Sequence, residues 1–294
     1  IMSETTAGLR KKIDSASDLQ SVVRTMKSLA ASSIGQYERS VAALAEYFRT
    51  VEIGLGAAFR SASGSEAFSA PEGRRTEEIR AVVFGSDQGL VGEFNETVSE
   101  YAIDTLKKET KRVRIWSVGE RVHSQLKDAG FRMEALYPVP GSAKGIIPLV
   151  GEILLSALRG ENPADGAEFY LFYNSPLSGA GYAPEGKRIL PLDREWVRRI
   201  TAIAWPSKSL PEILDRGNTT FGGLLREYFF VSVFRACAES LASENASRLA
   251  AMERADRNID DLLEDLGRSY HRLRQSGIDE ELFDVLAGYE VMSQ

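Results

Sequence analysis

All ten prolines of this 294-residue chain fall between Pro71 and Pro211. A proline inside a helix removes a hydrogen bond and costs about 3 kcal/mol. The two flanks are therefore free to be long helices, and the middle must be a different kind of structure. The last stretch, from about Pro211 to Gln294, reads as one helix, most clearly from Ala242 to Met292. Leu241, Leu249, Met252, Ile259, Leu262, Leu266, Tyr270 and Leu273 recur there mostly three, four or seven apart, with charges of both signs between them. About eighty residues at roughly 1.5 Å each make a rod on the order of 120 Å. A compact globule of this length has a diameter of about 50 Å. Much of such a rod projects, and its apolar stripe needs a second long helix to cover it.

The other proline-free flank is at the opposite end. From Thr5 to Phe59, the residues Leu9, Ile13, Ala16, Val23, Met26, Ala30, Tyr37, Leu44, Phe48, Val51 and Leu55 keep to one face, the pattern of a coiled-coil partner. Ser61 to Arg75 breaks the pattern with small residues, Gly and Pro, as a linker does.

Between the flanks, strand-like and helix-like segments alternate. Strands are expected over Ile79–Phe84, Arg112–Val118, Phe131–Val139 and Glu168–Tyr173, with an edge strand over Lys187–Leu192. Helices are expected over Glu93–Lys108, Glu120–Ala129 and Gly145–Leu158. This order predicts a largely parallel, Rossmann-like βαβ sheet covered by helices. The fold class is thus α/β, with a long coiled coil of the two terminal helices. Its parts are an N-terminal helix over 1–60, a linker over 61–78, a central domain over 79–210 and a C-terminal helix over 211–294.

Sheets of this kind commonly hold nucleotides, which directs interest to the loop after the first strand, Gly85-Ser86-Asp87-Gln88-Gly89-Leu90-Val91-Gly92-Glu93-Phe94-Asn95. Its glycine spacing is not the dinucleotide fingerprint, and no Lys-Ser/Thr pair follows as in a Walker loop. Asp87 and Glu93 would also repel an anion. A structural turn with no direct nucleotide contact is the better reading. His123 and His271 have no ligand cluster at metal spacing, so no metal site or cofactor is expected. A net charge of −6 argues against a general nucleic-acid binder. No apolar run approaches the ~20 residues that span a bilayer. Cys237 sits at helical spacing between Phe234 and Leu241, as a buried structural thiol does.

The loop G-S-D-Q-G-L-V-G-E-F-N resembles the G-S-D-R-G-L-C-G-x-F-N motif of the gamma subunit of F-type ATP synthases. The N-terminal L-R-K-K-I with Gln20, Met26-Lys27 and Ala30-Ala31-Ser32 is similar to that family's first helix. A-S-E-N-A-S-R-L-A-A-M, followed by R-Q-S-G-I-D-E-E-L, is similar to its closing helix. The likeness runs over nearly the whole chain in the family's order.

The resemblance implies that the coiled coil is antiparallel and that the chain is a non-catalytic central rotor stalk transmitting torque between a membrane ion-driven ring and a catalytic hexamer. Its implied partners are the alpha and beta subunits of the hexamer, the epsilon subunit and the membrane c-ring. It implies a peripheral place on the cytoplasmic face of the bacterial inner membrane, with membrane association only through the complex. By the same carry-over, Met26, Lys27, Arg248, Arg274 and Gln275 match positions that contact beta subunits. Leu282, Phe283, Val285, Leu286, Tyr289, Val291 and Met292 keep the helix end apolar, which calls for an enclosing sleeve; in the family that sleeve is the bore of the hexamer. Between Ser15 and Gln36 only Arg24 and Lys27 are basic, fewer than the family usually has; Asp279, Gly267, Gly277, Val91 and Glu93 are further departures. They suggest a diverged gamma, as from an alternative F-type complex. Two other readings are a nucleotide-dependent enzyme on the central sheet and a homodimeric coiled-coil scaffold.

Overall fold

The computed structural model describes residues 5–60, 78–158, 167–177, 181–209, 211 and 219–292, and only the backbone of 284 and 287–292. The linker expected from Ser61 to Arg75 lies outside the described residues. Eleven elements follow one another: α1 (Thr6–Arg60), β1 (Glu78–Phe84), α2 (Phe94–Leu106), β2 (Arg112–Val118), α3 (Glu120–Asp128), β3 (Arg132–Tyr137), α4 (Ala143–Ala157), β4 (Glu168–Pro176), β5 (Tyr182–Leu190), α5 (Arg194–Thr201) and α6 (Thr219–Met292). The two flanks are single helices of 55 and 74 residues. The chain divides into two compact units, one of residues up to Ala30 and from Leu249 onward, the other Ala31–Arg248.

The larger unit is built on a five-stranded sheet in the order β3-β2-β1-β4-β5. The first four strands are parallel, as the alternating pattern predicts, and β5 returns antiparallel to β4. The expected edge strand is therefore longer than Lys187–Leu192 and begins at Tyr182. Alternation sorts the side chains of β1. Ile79, Ala81 and Val83 join Val98, Ala102, Val122 and Leu126 beneath α2 and α3. Val82 and Phe84 join Trp116, Val118, Ile146 and Val150 on the opposite face. That second face also takes Val51 and Leu55 of α1 and Phe229, Val233 and Ala236 of α6. The terminal helices are thus part of the sheet's own core. Aromatic pairs fix their antiparallel sense here: Phe59 meets Phe221 at 5.0 Å and Phe48 meets Tyr228 at 6.0 Å between ring centres.

Helix α5 has no counterpart in the sequence reading, whose last named element before residue 210 is the edge strand. Its start is capped by Asp193, whose carboxylate accepts from the backbone N–H of Glu195 and Trp196. It seats against α1 at Gly56, where a Cβ would fall 2.3 Å from the Ile200 carbonyl oxygen. Arg60 then donates to the Thr201 and Ile203 carbonyls at 2.7 and 3.1 Å, satisfying acceptors left at the end of α5.

A charged ladder crosses the strands near their N-terminal ends. Arg114 reaches Glu134 at 3.0 Å and Glu78 at 3.3 Å, and Glu78 also accepts from Arg80 at 2.9 Å. The hydrogen bond from Arg114 holds the Glu134 carboxyl below the usual glutamate value, outweighing its partial burial. Burial alone would raise Glu78, but its hydrogen bond to Arg80 and the charges of Arg80 and Arg114 bring it down as well. A carboxyl with a depressed folded pKa stabilises the fold above its unfolded value. That contribution is lost as pH falls through the folded value. Stability should therefore decline once pH drops below about 4.3. Glu134→Gln should cost roughly 1 kcal/mol near neutrality and flatten that acid limb, as read by urea midpoints at pH 7 and pH 4.

Candidate functional site

In an open α/β sheet, the place to seek a ligand is the crevice beyond the carboxyl ends of the strands where the order reverses. Here that point lies between β1 and β4, and the chain fills it with its own side chains. Ser86, fully buried, donates its backbone N–H to Asn95 Oδ1 at 2.9 Å and its hydroxyl to the Gln88 carbonyl at 2.7 Å. Asn95 returns a donor to Ser86 Oγ at 2.9 Å. From the other side of the crevice, Asn174 donates to the Phe94 carbonyl at 2.7 Å. The Phe94 ring stands edge-on to Tyr182. The Ser247 hydroxyl of α6 donates to the Val91 carbonyl.

Two close approaches explain the glycines around this network. A Cβ on Gly85 would fall 2.2 Å from Val122 Cγ1. Gly119, at φ 103°, lies against the backbone of Gly85 and Ser86. Asp87 ties the same loops together by accepting from the N–H of Glu120 at 3.1 Å and of Val139 at 2.9 Å. The loop is a structural turn, as expected, and it locks α2, α3 and α6 to the sheet end. Cys237 is buried as expected, and burial, with the nearby Glu244 charge, pushes its thiol pKa well up.

Arg248 belongs to this larger unit. Its guanidinium lies 2.8 Å from Glu244, and its side chain is only 15% exposed. Burial raises the Glu244 pKa, while Arg248 pulls it the other way.

The remaining candidates lie in the smaller unit, where the N-terminal half of α1 runs antiparallel to the later part of α6. Leu9, Ala16, Val23 and Ala30 are buried at intervals of seven, and Ile13 and Gln20 lie on the same face. On α6 the inward set is Met252, Asp256, Ile259, Leu263, Leu266, Tyr270 and Leu273, alternately four and three apart. Leu262, expected in this seam, is 48% exposed; Leu263 takes the inward position. The seam also contains polar groups. Gln20 donates to Asp260. Arg24 Nε lies 3.0 Å from Asp256, and Lys27 Nζ lies 3.8 Å from the other Asp256 oxygen.

Met26 packs partly buried beside Val23, Met252 and Ile259. Arg274 and Gln275 are exposed, level with the start of α1 by the register of the Gln20–Asp260 and Arg24–Asp256 contacts. Beyond them, Leu282, Phe283, Val285 and Leu286 of α6 are each more than half exposed. The side chains of Tyr289, Val291 and Met292 lie outside the described residues.

A family profile described as ATP synthase matches residues 5–292. The chain belongs to the ATP synthase gamma-chain family. The ATP synthase gamma chain of Clostridium pasteurianum is 26% identical over 282 residues, covering 96% of each chain. That of Granulibacter bethesdensis is 28% identical over 296 residues, covering 97% of this chain and 98% of the relative. Among solved structures, a chain of the Euglena gracilis mitochondrial ATP synthase OSCP/F1/c-ring assembly superposes with a TM-score of 0.62. It is 16% identical and covers 98% of this gamma chain and 94% of its own length, a likeness of fold. As a gamma chain the protein is a stalk subunit of an F-type ATP synthase. Among the described residues no helix is long and apolar enough to cross a membrane.

The acidic partners Asp256 and Asp260, and the crevice residues Asn95 and Asn174, were not identified from sequence. The first two had a signal in Gln20 and Lys27, polar residues at seam positions that demand an answer from the facing helix. Removing the Asn95 amide should leave two buried Ser86 groups without their partner. Asn95→Ala should cost about 1–3 kcal/mol, measured as a shift of the urea midpoint with unchanged slope.

Proposed function

We propose that this gamma chain transmits torque as the central rotor of its synthase. An ion-driven membrane c-ring turns the chain, and the turning helices bias the beta subunits of an alpha-beta hexamer through successive nucleotide states. It carries out no bond chemistry; the crevice that would hold a nucleotide is packed with Ser86, Asn95, Phe94 and Asn174. That packing speaks against an enzyme on the central sheet. The observation that carries the reading is the end of α6, where four large apolar side chains follow one another in water. Such a surface needs a partner, and an apolar sleeve is one against which a helix can turn without locking into one register.

In this reading Leu282, Phe283, Val285, Leu286, Tyr289, Val291 and Met292 meet the hexamer bore. Arg274 and Gln275, exposed just before that end, meet beta-subunit loops. Arg248 meets beta-subunit loops as well, and Met26 and Lys27 contribute lower contacts, all three while also held by their own chain. The epsilon subunit and the c-ring bind elsewhere on the chain. The protein sits peripherally on the cytoplasmic face of the bacterial inner membrane, attached only through the complex. Coupling requires that the chain touch alternative beta conformations unequally.

Deleting Ala287 to Gln294 should lower coupled ATP synthesis or the yield of complex co-purified with alpha and beta subunits, with the near-ultraviolet signature of the central sheet retained. Full yield and full synthesis after the deletion would count against the sleeve.

A further inference from the structure

Lys187 has no part in the turn, the seam or the apolar helix end. It lies on β5, the last strand of the sheet, opposite Leu171 of β4, and shares with Leu171 the side covered by α1 and α6. Three carboxylates surround it there, those of Glu185, Glu239 and Glu52. Each already faces another donor. Glu239 accepts from Arg235 Nε at 2.7 Å and from the Ser175 hydroxyl at 3.4 Å. Glu52 accepts from Trp196 Nε1 at 3.0 Å and lies 3.7 Å from Arg199. Glu185 stands opposite Tyr173 in the register and faces its hydroxyl. Among the described residues, no hydrogen bond or ion pair joins Lys187 to any of the three.

An amine so placed has little to hold its proton. Burial, followed by the Arg235 charge, pushes the Lys187 pKa down, and the three carboxylates pull it back only in part. The neutral amine, the nucleophilic form, is therefore more populated than in a solvated lysine. Lys187 is only partly buried, so a small reagent can reach it. Arg235 supplies the other half of a site. Its side chain is 52% exposed and uses Nε for Glu239, and its terminal nitrogens hold no further hydrogen bond among the described residues. A guanidinium with N–H groups to spare beside an amine suits a reagent that carries a phosphate.

We propose that Lys187 is an acylation site whose donor is a small acyl phosphate. Arg235 holds the phosphate while the Lys187 Nζ lone pair attacks the acyl carbonyl. The carbon–nitrogen bond forms, the carbon–oxygen bond to phosphorus breaks, inorganic phosphate leaves with the bonding pair, and the nitrogen gives its surplus proton to water. The product is a neutral amide. It removes a partly buried cation from beside Arg235, and no carboxylate loses a hydrogen bond by it. The chain is the acceptor in this step and turns nothing over, and the proposal is independent of torque transmission.

The test incubates the full chain with acetyl phosphate near neutral pH and reads the acetylation of each lysine by mass spectrometry of its peptides. Lys187 should react roughly fivefold or more faster than the exposed Lys107, Lys127 and Lys144. Its rate should also level off at a lower pH than theirs. Arg235→Gln frees Glu239 for Lys187 and removes the phosphate contact, so it should bring the Lys187 rate down to that of the exposed set; Arg235→Lys should keep part of the advantage. Acetic anhydride carries no phosphate and reports the amine alone: the lower plateau should persist with it in the unaltered chain and disappear in Arg235→Gln. The comparison among lysines of the unaltered chain needs no variant to fold. Acetylation of Lys187 no faster than that of the exposed lysines, or a rate unmoved by Arg235→Gln, would overturn the assignment.

Discussion

Two helices more than 150 residues apart in sequence hold each other through side chains that recur every seven residues. Among the described residues of the smaller unit each stripe lies against the other, and Val23, Met252 and Ile259 form a buried cluster there. A helix of alternating apolar and charged residues gains little from propensity alone, and most of its stability comes from covering its apolar face. The seam therefore determines whether either helix persists in that unit. Because its partners are distant in the chain, loop closure must precede any gain from pairing them. In the larger unit the same two helices rest on the sheet, and the cluster around Phe229 and Trp116 joins them to β1 and β2.

A seam of alanine, valine and leucine alone would allow the helices to slide by one repeat. Gln20 and Lys27 break that degeneracy, since each is a polar group at a position that packing would give to an apolar residue. Only one register brings Asp260 to Gln20 and Asp256 to Arg24 and Lys27. The value of these contacts lies less in net energy, which is small for partly exposed pairs, than in what misalignment costs. A shift of one repeat would strand Gln20 and Lys27 against apolar side chains.

Much of this was legible in the chain because each signal is periodic or strongly exclusive. Proline placement separated helices from sheet, and β-branched runs located β1 and β2 within a residue or two. The misses share a cause. Leu262 and Leu263 are adjacent, and hydrophobicity does not distinguish which of two neighbouring leucines turns inward; the four-three alternation through Asp256 does, but Asp256 is not apolar. Helix α5 depends on the cap from Asp193, on Gly56 and on Arg60, contacts that join distant segments. β5 extends back to Tyr182 through Pro184 and Gly186, residues that weaken a strand signal and are tolerated at a sheet edge. The crevice network was visible only as a glycine-rich loop whose spacing excluded known phosphate cradles. What fills it, Asn174, comes from β4.

A sheet of this topology can serve as a nucleotide domain or as a scaffold, and the fold does not decide between them. At the switch point of this sheet side-chain amides and the Phe94 ring pack together, and α6 is tied to the same loop by Ser247. The result is a firm anchor for the long helix.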